Sequence, residues 1–418
     1  MNTKLAHSML PQANHDELAR QNFVRSLRNY LSSKMRHNLK LLYQETVKPQ
    51  FEKENQRSPK NRYEIRQGMQ QQQYYKWYSS CKRTTQEMMW ESAVTTVERQ
   101  LPELVERAKD EAVPLGTLTL NPELKIPTYQ TVVDTHCMPG GYNGEYTQDD
   151  ISAGAIYDFG VHIAMRNPES LRDVRGQTVI HKFLKQQYPN FQPAKILDMG
   201  CTVGANTLPY VDAYPNAEVY GIDLAPAILR YGHARAEYLG KRVHLSQQNA
   251  EKTNFPDESF DLVVSHIFLH EIPVPAIRNV FRESYRLLAP GGIMIHQDAP
   301  LYRDLDLYTA FVYDEETTNN NEPFWSAMRD LDLVAVAREA GFSRDSLIET
   351  LLEQNNGRQS FIYDEETTNN NEPFWSAMRD LDLVAVAREA GFSRDSLIET
   401  LLEQNNGRQS FIIVGTKL

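Results

Sequence analysis

Two kinds of periodicity divide the 418-residue chain. Over residues 16–57, apolar side chains at Phe23, Leu27, Tyr30, Leu31, Leu42 and Tyr43 recur at helical spacing, with Arg and Lys on the other face. A further helix is predicted from about Thr84 to Gln100, interrupted or kinked near Pro102, because proline lacks the amide proton a helix interior needs. Residues 127–167 read as loop-rich, with His136-Cys137 inside a turn punctuated by Pro139-Gly140-Gly141. From Ala194 the pattern changes to apolar strand, glycine turn and helix in alternation, which predicts a parallel sheet covered on both faces.

Residues 313–362 recur letter for letter as residues 363–412. Solenoids need about three or more diverged units with capping ends, so two identical copies read instead as a recent duplication or an assembly artefact. Each copy predicts a helix from about Pro323 to Ala340 ending at Gly341, a strand near Ser346 to Leu352, and an Asn356-Gly357 hairpin turn. Only the second copy continues into a closing strand, FIIVGTKL. One hairpin is therefore expected to dock on the sheet and the other to be surplus.

The duplication changes how the charge is read. The net charge is −11, but residues 1–112 carry 19 bases against 13 acids, and each 50-residue copy holds 10 acids and 4 bases. Removing one copy would leave the chain near −5, so the acidity says little about function. No apolar run approaches the roughly 18 residues of a membrane span, and the first residues lack the apolar core of a secretory signal, so a cytoplasmic protein is expected. Three widely spaced cysteines, Cys81, Cys137 and Cys201, support neither a disulfide framework nor a zinc knuckle. The basic, aromatic-laced stretch 54–83 has the composition of a nucleic-acid arm, but a helix with one aromatic face packed inward explains it as well.

The first strand of the alternating region, Lys195 to Met199, runs into Gly200-Cys201-Thr202-Val203-Gly204, a bend whose glycines let backbone approach a ligand. The second, Glu218 to Asp223, ends in an acid 19 residues after Gly204, where a carboxylate accepts the hydroxyls of a ribose. GxGxxG is absent and Asp198 sits at the strand tip. That charge repels a pyrophosphate and suits an ammonium or sulfonium ligand.

In order, ILDMGCTVG, VYGIDLA, NAEKTNFPDESFDLVVSHIFLHE and LLAPGGIMI resemble class I S-adenosylmethionine-dependent methyltransferases of the small-molecule type, over about residues 190–312 and the closing hairpin. The resemblance implies an α/β, Rossmann-like doubly wound sheet of seven strands, the last antiparallel, beside the mainly helical N-terminal region. It divides the chain into 1–126, a linker or acceptor-pocket lid at 127–190, and a cofactor domain at 191–418. It also implies that Asp198, Gly200 and Gly204 cradle the methionine part of S-adenosyl-L-methionine and that Asp223 and Leu224 hold the ribose. Asn249 and Ala250 would border the adenine, and Ser265 and His266 would line the floor beneath the methyl group. Thr202 stands where the family more often has glycine, and Asn249 where many members have aspartate.

Candidate catalytic groups follow the strand tips: His266 and His270 after FDLVVS, with Glu271 to orient an imidazole, and His296 and Asp298 after GGIMI. Neither HExxH nor a comparable spacing is present, so no metal is expected. Tyr142, Tyr157 and Phe159 are pocket candidates. The leading reading is methyl transfer to the oxygen or carbon of a small molecule, with neither membrane nor nucleic acid as partner. The competing readings are an RNA-modifying enzyme with a basic N-terminal arm and a cofactor-binding scaffold without turnover.

Overall fold

A computed structural model describes residues 7–109, 114–147, 149–164, 174–353 and 409–417. The N-terminal helical run predicted for 16–57 is α1 (His15–Tyr30), α2 (Arg36–Leu42) and α3 (Lys48–Asn55), joined by π-turns at Leu31–Met35 and Tyr43–Val47. Asn14 caps it, accepting from Glu17 N at 2.9 Å while the Glu17 carboxylate receives Asn14 N. After α4 (Arg62–Met69), α5 (Gln73–Lys109) continues through Pro102, correcting the expected interruption. Val97 and Leu104 on either side of the proline are fully buried, and this packing outweighs the lost hydrogen bond.

Within the stretch read as loop, α6 (Ser152–Ala164) is a helix. Two glycines of this helix are close-packing contacts. A Cβ on Gly160 would lie 2.2 Å from the Trp90 ring, and one on Gly154 would lie 2.4 Å from Tyr231 Cβ. α6 is thus held between α5 and the helix Pro226–Tyr238, with Tyr231 donating to Asp158 Oδ2 at 2.9 Å. Tyr75 and Tyr78 of the basic stretch are buried, whereas Trp77 is 64% exposed. Its bases meet acids across the fold: Arg62 bonds Asp330 at 2.6 Å, Arg66 bonds Asp314 at 2.5 Å, and Lys82 pairs with Glu316.

The sheet has eight strands in the order β1-β4-β3-β2-β5-β6-β8-β7. Seven come from the alternating region: β2 (Lys195–Met199), β3 (Glu218–Asp223), β4 (His244–Gln247), β5 (Phe260–His266), β6 (Leu288–Asp298), β7 (Leu347–Glu353) and β8 (Gln409–Thr416). As expected, the last of these runs antiparallel to its neighbours. The eighth, β1 (Thr117–Thr119), is an edge strand paired with β4. The segments before β2 and the helix Pro226–Tyr238 cover one face, and the helices Val274–Leu287 and Leu333–Ala340 cover the other. None of the described helices is long and apolar enough to cross a membrane.

The duplicated segment contributes unevenly. The helix ending at Gly341 and β7 come from the first copy, while β8 begins in the last four residues of the second and runs on past it to Thr416. The predicted Asn356-Gly357 turn lies outside the described residues, as does most of the second copy.

Candidate active site

The C-terminal ends of β2, β3 and β5 open into a cleft of about 1000 Å³ including its mouth. This is where an open parallel sheet receives ligands, because strands and helices diverge at that edge. β2 delivers Asp198 there. The chain then bends at Gly200 (φ +73°), with Gly200 N and Cys201 N both donating to Ile222 O of β3 at 2.9 and 3.0 Å. Thr202 takes φ +47°, uncommon for a β-branched residue, and its N–H donates to Asp223 Oδ2 at 3.0 Å. The threonine is therefore accommodated by strain, and the bend is tied to both strand tips.

The two acids differ in what they lack. Asp223 accepts from Thr202 N and from Ala225 N at 3.1 Å, and burial still raises its carboxyl above the ordinary range. Asp198 is 2% exposed; among the described residues it accepts from Thr207 Oγ1 alone, at 2.5 Å through Oδ2, and its buried Oδ1 has no partner. Burial pushes its carboxyl up to about 7, opposed by Thr207 and reinforced by Asp223. A buried, half-satisfied carboxylate facing a cleft is a site for a cation.

Of the residues singled out from sequence, Asp198, Gly200, Asp223, Leu224, Asn249, Ala250 and His266 line the cleft, as do Tyr142 and Tyr157. Gly204 (φ +76°) shapes the bend behind it. Phe159 is core, stacked on His162. Ser265 is fully buried and hydrogen-bonded to His296 Nδ1 at 2.7 Å, beneath Phe281 of the helix Val274–Leu287. Burial drives the His296 imidazole down to about 3, so it is a neutral core side chain. Asp298 is fully buried as well. It accepts from Leu269 N at 2.9 Å and Ala299 N at 2.6 Å, and binds His270 Nδ1 at 2.6 Å. Its carboxylate organises the turn after β5.

His266 faces the cleft, but both of its nitrogens are engaged. Nδ1 lies 2.8 Å from Gln297 Oε1 and Nε2 lies 3.1 Å from Tyr210 OH. Burial lowers it to about 4, making it a neutral wall rather than a strong base. Opposite the strand tips, the wall comes from residues 129–143. Tyr129 donates to Glu251 Oε1 at 2.7 Å, and Gln130 Nε2 donates to Glu271 O at 3.0 Å. His136, with left-handed backbone (φ +59°), projects inward because its carbonyl accepts from Trp90 Nε1 at 2.7 Å and Gln86 Nε2 at 3.0 Å. Its Nε2 lies 2.7 Å from Glu271 Oε1. Burial opposes its protonation, but Glu271 and Glu322 hold the imidazole well above its ordinary range. Sequence reasoning gave His136 to a turn and did not single out Glu322; their meeting with His270 and Glu271 is a product of tertiary folding.

Residues 196–292 match the protein family described as "Methyltransferase domain". An uncharacterized protein of Haemophilus influenzae is 30% identical over 112 residues, 26% of this chain and 44% of that protein. A demethylmenaquinone methyltransferase of Thermus thermophilus is 32% identical over 108 residues, 26% of this chain and 48% of that enzyme. The matches thus span less than half of those relatives' length. The crystal structure of the PH0226 protein from Pyrococcus horikoshii OT3 is 26% identical, covering 34% of this chain and 62% of that one, with a TM-score of 0.30. The strand order, the bend tied to Asp223 and the matched segment fall together: residues 196–292 of this chain form a methyltransferase domain.

Proposed function

We propose that the chain transfers a methyl group from S-adenosyl-L-methionine to a small-molecule acceptor, at oxygen or carbon. The observation that carries this reading is Asp198 Oδ1, a buried carboxylate oxygen without a partner in the wall of the cleft. A sulfonium nucleoside supplies the missing positive charge there and brings the methyl group as an electrophile. Asp198, Gly200 and Gly204 would hold its amino-acid part, Asp223 and Leu224 its ribose, and Asn249 and Ala250 its base. Ser265 would support the floor from behind, through His296, rather than touch the ligand.

The chain's own contribution is alignment and exclusion of water, which supply much of the acceleration when the leaving group is neutral. Phe268, Ile267 and the neutral His266 wall the cleft near Gly200. Tyr142, Tyr157, His136 and Glu271 line the side built by residues 129–164, the acceptor side in this reading. Of the four groups first considered as catalytic, His266 touches the reacting centre as a wall, His270 lies behind Glu271, and His296 and Asp298 are positioning residues. The ion pairs that occupy Arg62, Arg66 and Lys82 favour a small acceptor over RNA.

The test is transfer of labelled methyl from S-adenosyl-L-methionine to fractionated metabolite extracts by the full chain and by Asp223→Ala. Label appearing in a small-molecule fraction with the native chain alone supports the proposal. Label appearing only in added RNA, or nowhere although the cofactor binds, refutes it.

A further inference from the structure

His136, His270 and Glu271 each offer a donor atom, and these atoms all lie within 4.8 Å of one another. His136 Nε2 is 2.7 Å and His270 Nε2 is 3.5 Å from Glu271 Oε1. Donors bound to a tetrahedral zinc at about 2.1 Å stand roughly 3.4 Å apart, so His270 and Glu271 already stand at that spacing, while His136 is at hydrogen-bond distance from Glu271. The outer nitrogens are arranged to match. His136 Nδ1 faces Glu322 Oε1 at 3.0 Å, and His270 Nδ1 faces Asp298 Oδ1 at 2.6 Å. Each imidazole is thereby fixed with Nε2 turned inward, the carboxylate–histidine pairing that orients metal-binding histidines and raises their basicity.

A second, independent observation points the same way. Glu322 is 3% exposed, and among the described residues its Oε2 has no hydrogen-bond partner although it lies 4.0 Å from His270 Nε2. A buried carboxylate oxygen with no hydrogen bond, set beside two imidazole nitrogens, has a lone pair free for a further electrophilic partner. Aromatic rings brace the donors, with Trp325 edge-on to His270 at 4.8 Å and Tyr142 edge-on to His136 at 6.0 Å. Because His136 and Glu271 also line the cleft, the three-donor face is closed behind by Asp298 and Glu322 and open in front.

We propose that His136 Nε2, His270 Nε2 and Glu271 Oε1 form a binding site for one divalent transition metal of the zinc class, with its open coordination position directed into the cleft. Two imidazoles and one carboxylate suit zinc, cobalt, manganese or iron(II), and are a poor set for calcium or magnesium. A metal there would take an oxygen or sulfur atom of the acceptor as its fourth ligand and favour that atom's deprotonated form. This role rests on the methyl-transfer reading; the binding of the ion does not.

The experiment uses the full chain, stripped with chelator and titrated with Co²⁺ while its visible d–d absorption is followed. Zn²⁺ competition and metal analysis give the stoichiometry. One Co²⁺ per chain, bleached by Zn²⁺, is expected. His136→Ala should abolish the band, and Glu322→Gln should weaken Co²⁺ binding by about 10–100-fold, as losses of outer-shell partners do. Thermal stabilisation of the stripped chain by S-adenosylhomocysteine reports the nucleoside seat separately, so failure of one reading is not mistaken for failure of the other. Should His136→Ala not fold, Glu322→Gln and His136→Asn carry the same comparison. No absorption band, or a band of unchanged affinity in these variants, overturns the proposal.

Discussion

Glu353, the last residue of β7, pairs in register with Gln409, the first residue of β8. Gln409 holds the same place in the second copy of the repeat as Gln359 does in the first. In a chain with one copy, the same pairing would leave five residues between the two strands.

Deleting residues 354–403 should leave the sheet intact. Shortening the connection from 55 residues to five lowers the entropy of closing it by about 2 kcal/mol. The shortened chain is expected to melt at the same temperature or higher and to bind S-adenosylhomocysteine equally well. A midpoint lowered by several degrees in calorimetry would show instead that the second copy contributes to the fold.

Gly200 and Gly240 both have positive φ, +73° and +66°, but only Gly200 is crowded. A Cβ there would lie 2.5 Å from Phe268 Cδ2, whereas nothing stands within 4 Å of one on Gly240. Gly240→Ala should cost about 1 kcal/mol, the left-handed penalty alone. Gly200→Ala should cost about 1–3 kcal/mol more and displace Phe268 from the cleft wall. Urea denaturation of the two variants checks the difference, and cofactor binding should fall only for Gly200→Ala.

Much of this was legible in the sequence because local chemistry decided it. The bend after Lys195 to Met199 and the acid ending Glu218 to Asp223 follow from strand patterns and glycine placement within a few dozen residues, and the antiparallel final strand was implied by the family resemblance. What was not legible depends on distant partners. Gly154 and Gly160 look like loop residues until Tyr231 and Trp90 are brought against them. His136 looks like part of a turn until α5 grips its carbonyl. His296 and Asp298 end an apolar strand, as catalytic residues often do, but one side chain faces a covering helix and the other caps the turn after β5.

Asp298 is expected to matter for stability. Asp298→Ala removes the acceptor for three backbone N–H groups and the partner of the His270 ring in a fully buried setting. Breaking such a buried pair costs about 3–5 kcal/mol. Chemical denaturation should show a loss of that size. A variant of native stability but without activity would return Asp298 to the catalytic group.

Cofactor affinity should depend on pH through Asp198. Its carboxyl is raised to about 7 in the free fold, so the native state keeps a proton that the unfolded chain releases near pH 4. Stability of the free protein from this source is lost as pH rises from about 4 to 7. A bound cation favours the ionised form, so affinity should rise over the same interval and level off above it. Titration calorimetry is expected to give about tenfold weaker binding at pH 6 than at pH 8, and Asp198→Asn should remove the dependence. A pH-independent native chain would contradict the assignment of Asp198.

The central claim is that Asp198, Asp223 and the bend at Gly200 seat a positively charged sulfur nucleoside. Thermal unfolding of the native chain and of Asp223→Ala, each with S-adenosylmethionine, S-adenosylhomocysteine and NAD, tests it most directly. Stabilisation of the native chain by the first two alone, abolished in Asp223→Ala, is the result predicted; stabilisation by NAD alone, or by none of the three, would contradict it.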